Sequence, residues 1–195
     1  MTSNNQKTMK LAQTALLAAL CYIGFQFFRF DIPVGTEKTA IHFGNTFCVL
    51  AALLLGGVRG GLAGAIGMTI ADLTSSYATS APKTFLLKLC IGLIVGFVAH
   101  NIGKISQAKE KSLILRWSLI SSAAGMVFNV FADPIVGYFY KRYLFGLDVD
   151  LASALAKIGA VATFVNAVTS VVFASLLYCA VRPALEKAGL YQRVE

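Results

Sequence analysis

Apolar residues along the chain fall into long runs separated by polar clusters, and the runs have the length of membrane crossings. A spanning helix needs about 20 mostly apolar residues. The first run covers about residues 8–28. No small-residue cleavage site with a polar chain behind it follows, so this run reads as a retained helix and not a signal peptide. A polar loop comes next, Arg29 to Thr39, with Asp31, Pro33, Gly35, Glu37 and Lys38. From Ala40 to Ala71 the chain is apolar again, broken by Gly56-Gly57-Val58-Arg59-Gly60-Gly61. A glycine cluster with one arginine is a turn signal. The stretch therefore reads as two short helices, about 43–57 and 60–72, each short of a full crossing or buried by its neighbours. Beyond a hydroxyl-rich loop, Thr74 to Ala81, Pro82 suits the first turn of a helix over about 82–103. After a basic loop a helix covers about 113–140, with Asp133-Pro134 interrupting and kinking it. A polar link, Lys141 to Lys157, leads to the uncharged run 158–181, which Arg182-Pro183 ends before a short amphipathic tail. The expected fold is all-α: a single integral membrane domain over residues 1–195, with six transmembrane helices in a compact bundle.

Composition removes the soluble alternative. Hydrophobic residues make up 57% and charged residues 13% of the 195, against about 45–50% and 25% in globular proteins. Mean hydropathy is +0.71. Neither a small soluble domain nor a disordered chain tolerates those values. The net charge is +8, from 17 Lys+Arg and 9 Asp+Glu. The cations are scattered among apolar segments and build no continuous basic face, which argues against nucleic acid. Six helices put both termini on one side. With the termini in the cytoplasm, the inner segments hold Lys7, Lys10, Arg59, Lys104, Lys109, Lys111, Arg116, Arg182, Lys187 and Arg193. The outer segments hold the smaller set Arg29, Lys38, Lys83, Lys88, Lys141, Arg142 and Lys157. The excess favours cytoplasmic termini and a multi-pass plasma-membrane protein. Cys21, Cys48, Cys90 and Cys179 each sit in an apolar run without CxxC spacing and read as free thiols. Two histidines and no HExxH give no metal site, and no cofactor is expected.

Ionisable and amide groups inside spans are costly, so each is a functional candidate. Ser122, Gly125, Asn129 and Asp133 form one stripe on the fifth helix, and Thr163, Asn166 and Ser170 one on the sixth. Together they suggest a shared polar cavity; interhelical hydrogen bonding is the alternative. Lys83 and Lys88 on the fourth helix, with its free N–H groups, suit an anion or a partner such as Asp72 or Asp133; snorkelling to headgroups is the alternative. His42 and Asn45 stand where the chain re-enters the membrane, and His42 alternatively caps the second helix. Asp72 ends the third helix, where a water-facing carboxylate is the alternative. Tyr77 is a candidate ring for stacking on a heteroaromatic ligand. Gly60/Gly64 and Gly92/Gly96 are GxxxG pairs, which signal close packing within one chain or a partner-docking stripe.

These residues resemble the substrate-binding S-components of energy-coupling factor (ECF) vitamin transporters. The resemblance covers about residues 10–182. It rests on the Ala15-xxx-Ala19 stripe, on Ile41-His42-Phe43-Gly44-Asn45 through Leu53-Leu54-Leu55-Gly56, and on Gly60 through Gly67 to Ala71-Asp72-Leu73. Tyr77-Ala78 and Ala81-Pro82-Lys83-Thr84-Phe85 extend it. It implies high-affinity binding of a water-soluble vitamin near the outer face, and association with a transmembrane coupling protein and two cytosolic ATPases. Ala15 and Ala19, with Ala12 a turn earlier, would dock on the coupling protein. Arg29 to Ile41 would gate a pocket built from that loop and helices four to six. The implied ligand-binding set is His42, Asn45, Asp72, Tyr77, Lys83, Lys88, Asn129, Asp133 and Asn166. Among the vitamins of such subunits a pyridine or pyrimidine type, vitamin B6 or hydroxymethylpyrimidine, is the expectation, with pantothenate and riboflavin also open. The chain has no Gly-x-x-x-x-Gly-Lys-Ser/Thr loop, in keeping with ATP hydrolysis on separate subunits. A stand-alone carrier or channel is the alternative, though no internal repeat is visible. An integral membrane enzyme is less consistent, since no acid–base pair, metal set or GxSxG is present.

Overall fold

The structure, a computed structural model, describes residues 3–35, 37–191 and 194. Arg193, one of the cations counted above, lies outside them. The elements run α1 Ser3–Gln26, β1 Arg29–Val34, β2 Glu37–His42, α2 Gly44–Leu55, α3 Gly57–Leu73, α4 Ala81–Gly96, α5 Lys111–Phe139 and α6 Val149–Lys187. The windows Asn5–Gln26, Ala78–Ile102, Lys111–Leu144 and Val149–Lys187 are long and apolar enough to cross a membrane. With 12 and 17 residues, α2 and α3 reach only about 18 and 26 Å at 1.5 Å per residue, short of a hydrocarbon layer about 30 Å thick.

Burial compensates α2 for its length. Val49, Ala51, Ala52 and Leu53 are fully buried, and α2 packs against α1, α3, α4, α5 and α6. A short helix at the centre needs no lipid-facing surface, and its backbone is already hydrogen-bonded. The lipid-facing residues lie on the outer helices, where Leu11, Leu16, Phe131, Val161 and Phe164 are exposed. Glycine sets the closest approach. A Cβ on Gly92 would overlap the backbone of Gly61, one on Gly96 the backbone of Gly57, and one on Gly60 the backbone of Ala52. One on Gly64 would lie 2.9 Å from Cys48 Sγ. Both GxxxG pairs are therefore consumed by packing within the chain.

The structure corrects several sequence boundaries. The polar loop after α1 is an antiparallel hairpin with Arg29 opposite His42 and Val34 opposite Glu37. Its tight turn begins at Gly35, whose φ of +60° is the left-handed conformation that favours glycine. Pro33 and the charges hid the alternation of a strand; at a two-stranded edge proline is tolerated. The fifth helix is not interrupted at Asp133-Pro134 but runs through to Phe139. The sixth begins at Val149 instead of 158. Asp148 caps it by accepting a hydrogen bond from Asp150 N at 3.0 Å. Its first turns bury Ala152 and Leu155 on one face beneath the hairpin end. It also continues past Arg182-Pro183 to Lys187. Of the charges read as a link, Asp150 and Lys157 lie on this extended start of the sixth helix, and Lys141 and Arg142 lie on a helical turn, Tyr140–Leu144, that continues the fifth.

Candidate functional site

A cavity of about 120 Å³ lies at the hairpin end of the bundle. Every ligand-binding candidate from the sequence lines it: His42, Asn45, Asp72, Tyr77, Lys83, Lys88, Asn129, Asp133 and Asn166. Helical spacing explains the convergence. Asn129 and Asp133 are one turn apart on α5, and Thr163 and Asn166 lie on the facing side of α6. The polar stripes divide by depth. Thr163, Asn166, Asn129 and Asp133 face the cavity, whereas Ser122 meets Ser175 at 3.4 Å and Ser170 meets Thr46 at 3.4 Å between helices.

Lys83 Nζ donates to Asp133 Oδ1 at 2.8 Å, and Thr163 Oγ1 donates to Asp133 Oδ2 at 2.8 Å. Lys83 therefore does not snorkel: its ammonium forms an ion pair between α4 and α5. Asn166 acts as an extra rung for the hairpin. Its Oδ1 accepts the His42 N–H at 2.8 Å and its Nδ2 donates to the Ala40 carbonyl at 3.0 Å. Tyr77 donates to Asp31 Oδ1 at 3.1 Å, and burial together with that carboxylate pushes its phenol pKa up. Arg29 pairs with Asp31 at 2.8 Å and lies over the rings of Phe25 and Tyr77 at 4.8 and 5.3 Å. These contacts fasten the hairpin to α1 and to the α3–α4 loop, with Lys141–Glu37 at 3.6 Å as a further tie.

The remaining groups are buried and open. Asn45 and Asn129 are each 1% exposed, Asp72 3% and Lys88 7%. Asn45 Oδ1, Asn129 Oδ1, Asp72 Oδ2 and His42 Nδ1 have no hydrogen-bond partner, and Lys88 makes no hydrogen bond or ion pair among the described residues. Native buried polar groups are rarely left so. Burial, then the charge of Lys88, lowers the His42 pKa to about 3, so its ring is neutral at pH 7. It packs edge-on against Phe25 at 4.8 Å. His42 does not cap α2, which has no side-chain cap. Asp72 does not face water.

Sequence reasoning missed Phe25, Met68, Thr84, Lys141 and Leu155, and the strand residues Lys38 to Ala40, all of which line the cavity. Phe25 and Met68 sit in unbroken apolar runs, where nothing separates a lining residue from a core one. The cavity draws on α1, α2 and α3 as well as on the loop and the last three helices. Ala12, Ala15 and Ala19 are elsewhere, exposed on α1, while Ala18 on another face of that helix meets Gly67. No group of three or more metal-ligating side chains exists among the described residues.

Comparison with known proteins agrees with this architecture. The chain superposes on the crystal structure of the S-component for biotin from an ECF-type ABC transporter with a TM-score of 0.60, covering 91% of this chain and 94% of that one at 18% identity. At that identity the match concerns the fold. An uncharacterised protein in the gap 3′ region of Pyrococcus woesei is 34% identical over 77 residues, 38% of this chain. The chain spans about half the length of that curated relative, 51%. A sequence profile described as "ECF-type riboflavin transporter, S component" matches residues 5–183. With nearly the whole chain inside that match and the same fold, the protein belongs to the ECF-type riboflavin transporter S-component family, whose members are multi-pass, non-enzymatic, substrate-binding subunits of prokaryotic membranes.

Proposed function

We propose that this chain captures a water-soluble heteroaromatic vitamin in the hairpin-end cavity and passes it to an ECF module made of a transmembrane coupling protein and two cytosolic ATPases. The observation that carries the reading is the set of buried, unpartnered polar groups around one small cavity. Lipid cannot satisfy them, and a polar ligand can. The family description makes riboflavin the first candidate and displaces the pyridine or pyrimidine vitamin expected from the residues. The imide edge of a flavin carries both a donor and acceptors for this lining, and its ribityl hydroxyls are further donors. One observation keeps a single-ring vitamin as the second reading: about 120 Å³ is small against the roughly 300–1,000 Å³ of pockets for drug-sized ligands. A flavin requires the hairpin to stand open, whereas a single ring does not. Calorimetric titration of the purified chain with riboflavin, pyridoxine and hydroxymethylpyrimidine separates the two. Tight binding of riboflavin alone is expected, and a protein that ignores all three is not a subunit for this vitamin class.

The exposed Ala12, Ala15 and Ala19 are proposed as the docking face for the coupling protein, because small side chains allow helices to approach closely. Bulky replacements at 15 and 19 should block uptake and leave vitamin affinity nearly unchanged. Normal uptake by the double variant places docking elsewhere. Both termini are proposed to be cytoplasmic, from the charge bias. A cysteine replacing Lys38 on the hairpin should then react with an impermeant thiol reagent in intact cells, and labelling only after lysis reverses the orientation.

A further inference from the structure

The polar groups of the cavity divide by whether they already hold a partner within the protein. Asp133 has both oxygens occupied, Lys83 is held by Asp133, Asn166 uses its amide on both sides of the β2 backbone, and Tyr77 is committed to Asp31. The open groups are Asp72 at Oδ2, with Thr84 beside its carboxylate, and Lys88, Asn45, Asn129 and His42. They come from α2, α3, α4, α5 and the end of β2, and together they form a floor. The occupied groups belong to the ion pair between α4 and α5 and to the fastenings of the hairpin.

We propose that this floor, with Asp72 and Lys88 as its two poles, is the specificity element, and that it selects a ring edge of no net charge. That edge presents an N–H or O–H donor to Asp72 and an acceptor to Lys88, with the amides of Asn45 and Asn129 able to meet groups of either kind beside them. The inference rests on the functional reading above and deepens it. The floor holds one ammonium and one carboxylate, and no ion pair joins them. A carboxylate or phosphate placed there would satisfy Lys88 and repel Asp72, and a cationic edge would do the reverse. A neutral edge with donors and an acceptor satisfies both poles without a new buried charge.

A floor kept open for a ligand leaves a signature that a structural cluster does not. Removing an unpaired buried charge relieves a desolvation penalty in the empty protein and removes a contact in the loaded one. The experiment uses the full chain in detergent, its Asp72→Asn and Lys88→Met variants, and riboflavin, pyridoxine, hydroxymethylpyrimidine, biotin and pantothenate as ligands. Without ligand, both variants should melt at or above the wild-type temperature. With whichever neutral vitamin binds the wild type, both should lose about 30-fold or more in affinity. Biotin and pantothenate, which carry a carboxylate, should bind neither better nor as well. Variants that melt well below the wild type, or that bind within about threefold of it, overturn the floor assignment. Preferential binding of a carboxylate vitamin overturns the neutral edge while vitamin capture itself survives. If no vitamin binds, the functional reading fails, and the ligand-free melting temperatures still decide whether the floor is strained or structural.

Discussion

The two ends of the bundle treat buried polar groups in opposite ways. At the end bearing the termini, Arg182 is buried and bonded at each of its three guanidinium nitrogens. Its Nη1 and Nη2 donate to the carbonyls of Ile105 and Ala108 at 2.7 Å each, and its Nε to Glu186 Oε1 at 2.7 Å. The guanidinium also lies 5.0 Å from the ring centre of Tyr191. His100 bridges Ser106 at 2.7 Å and the Ala52 carbonyl at 3.2 Å. At the hairpin end Lys88 and Asp72 are buried to a similar depth, yet Lys88 makes no hydrogen bond or ion pair among the described residues, and Asp72 has Thr84 beside its carboxylate but no partner at Oδ2. A charge bonded at each of its nitrogens closes a structure, because guanidinium geometry fits several fixed acceptors at once. A charge left open in a cavity weakens the empty protein and is explained by something that arrives later. Burial alone does not separate the two roles; satisfaction does.

The sharpest way to break the contrast is Arg182→Met. It leaves two carbonyls and Glu186 without their donor, and a loss of about 3–5 kcal/mol is expected, measured as a large fall in melting temperature in detergent. An unchanged melting temperature would mean the terminal network holds nothing together. Asp133→Ala comes next. It strands Lys83, but the pair is partly exposed, with side-chain accessibilities of 14% and 24%. The expected cost is about 1–3 kcal/mol. A cost equal to that of Arg182→Met would erase the difference between rim and interior.

Asn166→Ala tests the fastening of the hairpin. Two hydrogen bonds to β2 are lost, each worth about 0.5–1.5 kcal/mol. Because both hydrogen bonds of the Asn166 side-chain amide go to the β2 backbone, the effect should fall on rates: stopped-flow measurements should show faster binding and faster release. Asn166→Asp keeps only the acceptor and should fall between. Faster release from Asn166→Ala with an unchanged binding rate would make Asn166 a ligand contact instead of a hairpin fastening. The smallest effect is expected from Lys141→Met, which removes a 3.6 Å pair to a half-exposed Glu37. That change should stay within about 0–1 kcal/mol in the melting curve.

Which polar residues share one cavity was largely legible in the sequence. Polar residues in apolar runs are rare enough to stand out, and helical spacing alone put Asn129 with Asp133 and Thr163 with Asn166. What those residues do there was not legible. Asn166 and Asp133 both read as cavity groups, yet one bonds a strand backbone and the other a lysine fifty positions away along the chain. The hairpin escaped notice because Pro33 and the charges of Arg29 to Lys38 resemble a loop, and only its fastening to α1, α6 and Tyr77 makes two short strands stable.

Hydropathy by itself determined the membrane solvent, the number of helices and the shortness of α2 and α3, since lipid enforces apolar length residue by residue. Small residues marked where helices would meet closely, but not which helix each would meet. Tertiary structure decided that Gly60 packs on Ala52 and Gly92 on Gly61, and that α2 lies at the centre. It also decided which buried charges are paired and which are left waiting. Pairing depends on distances between segments far apart in the chain, and a local pattern carries no information about them.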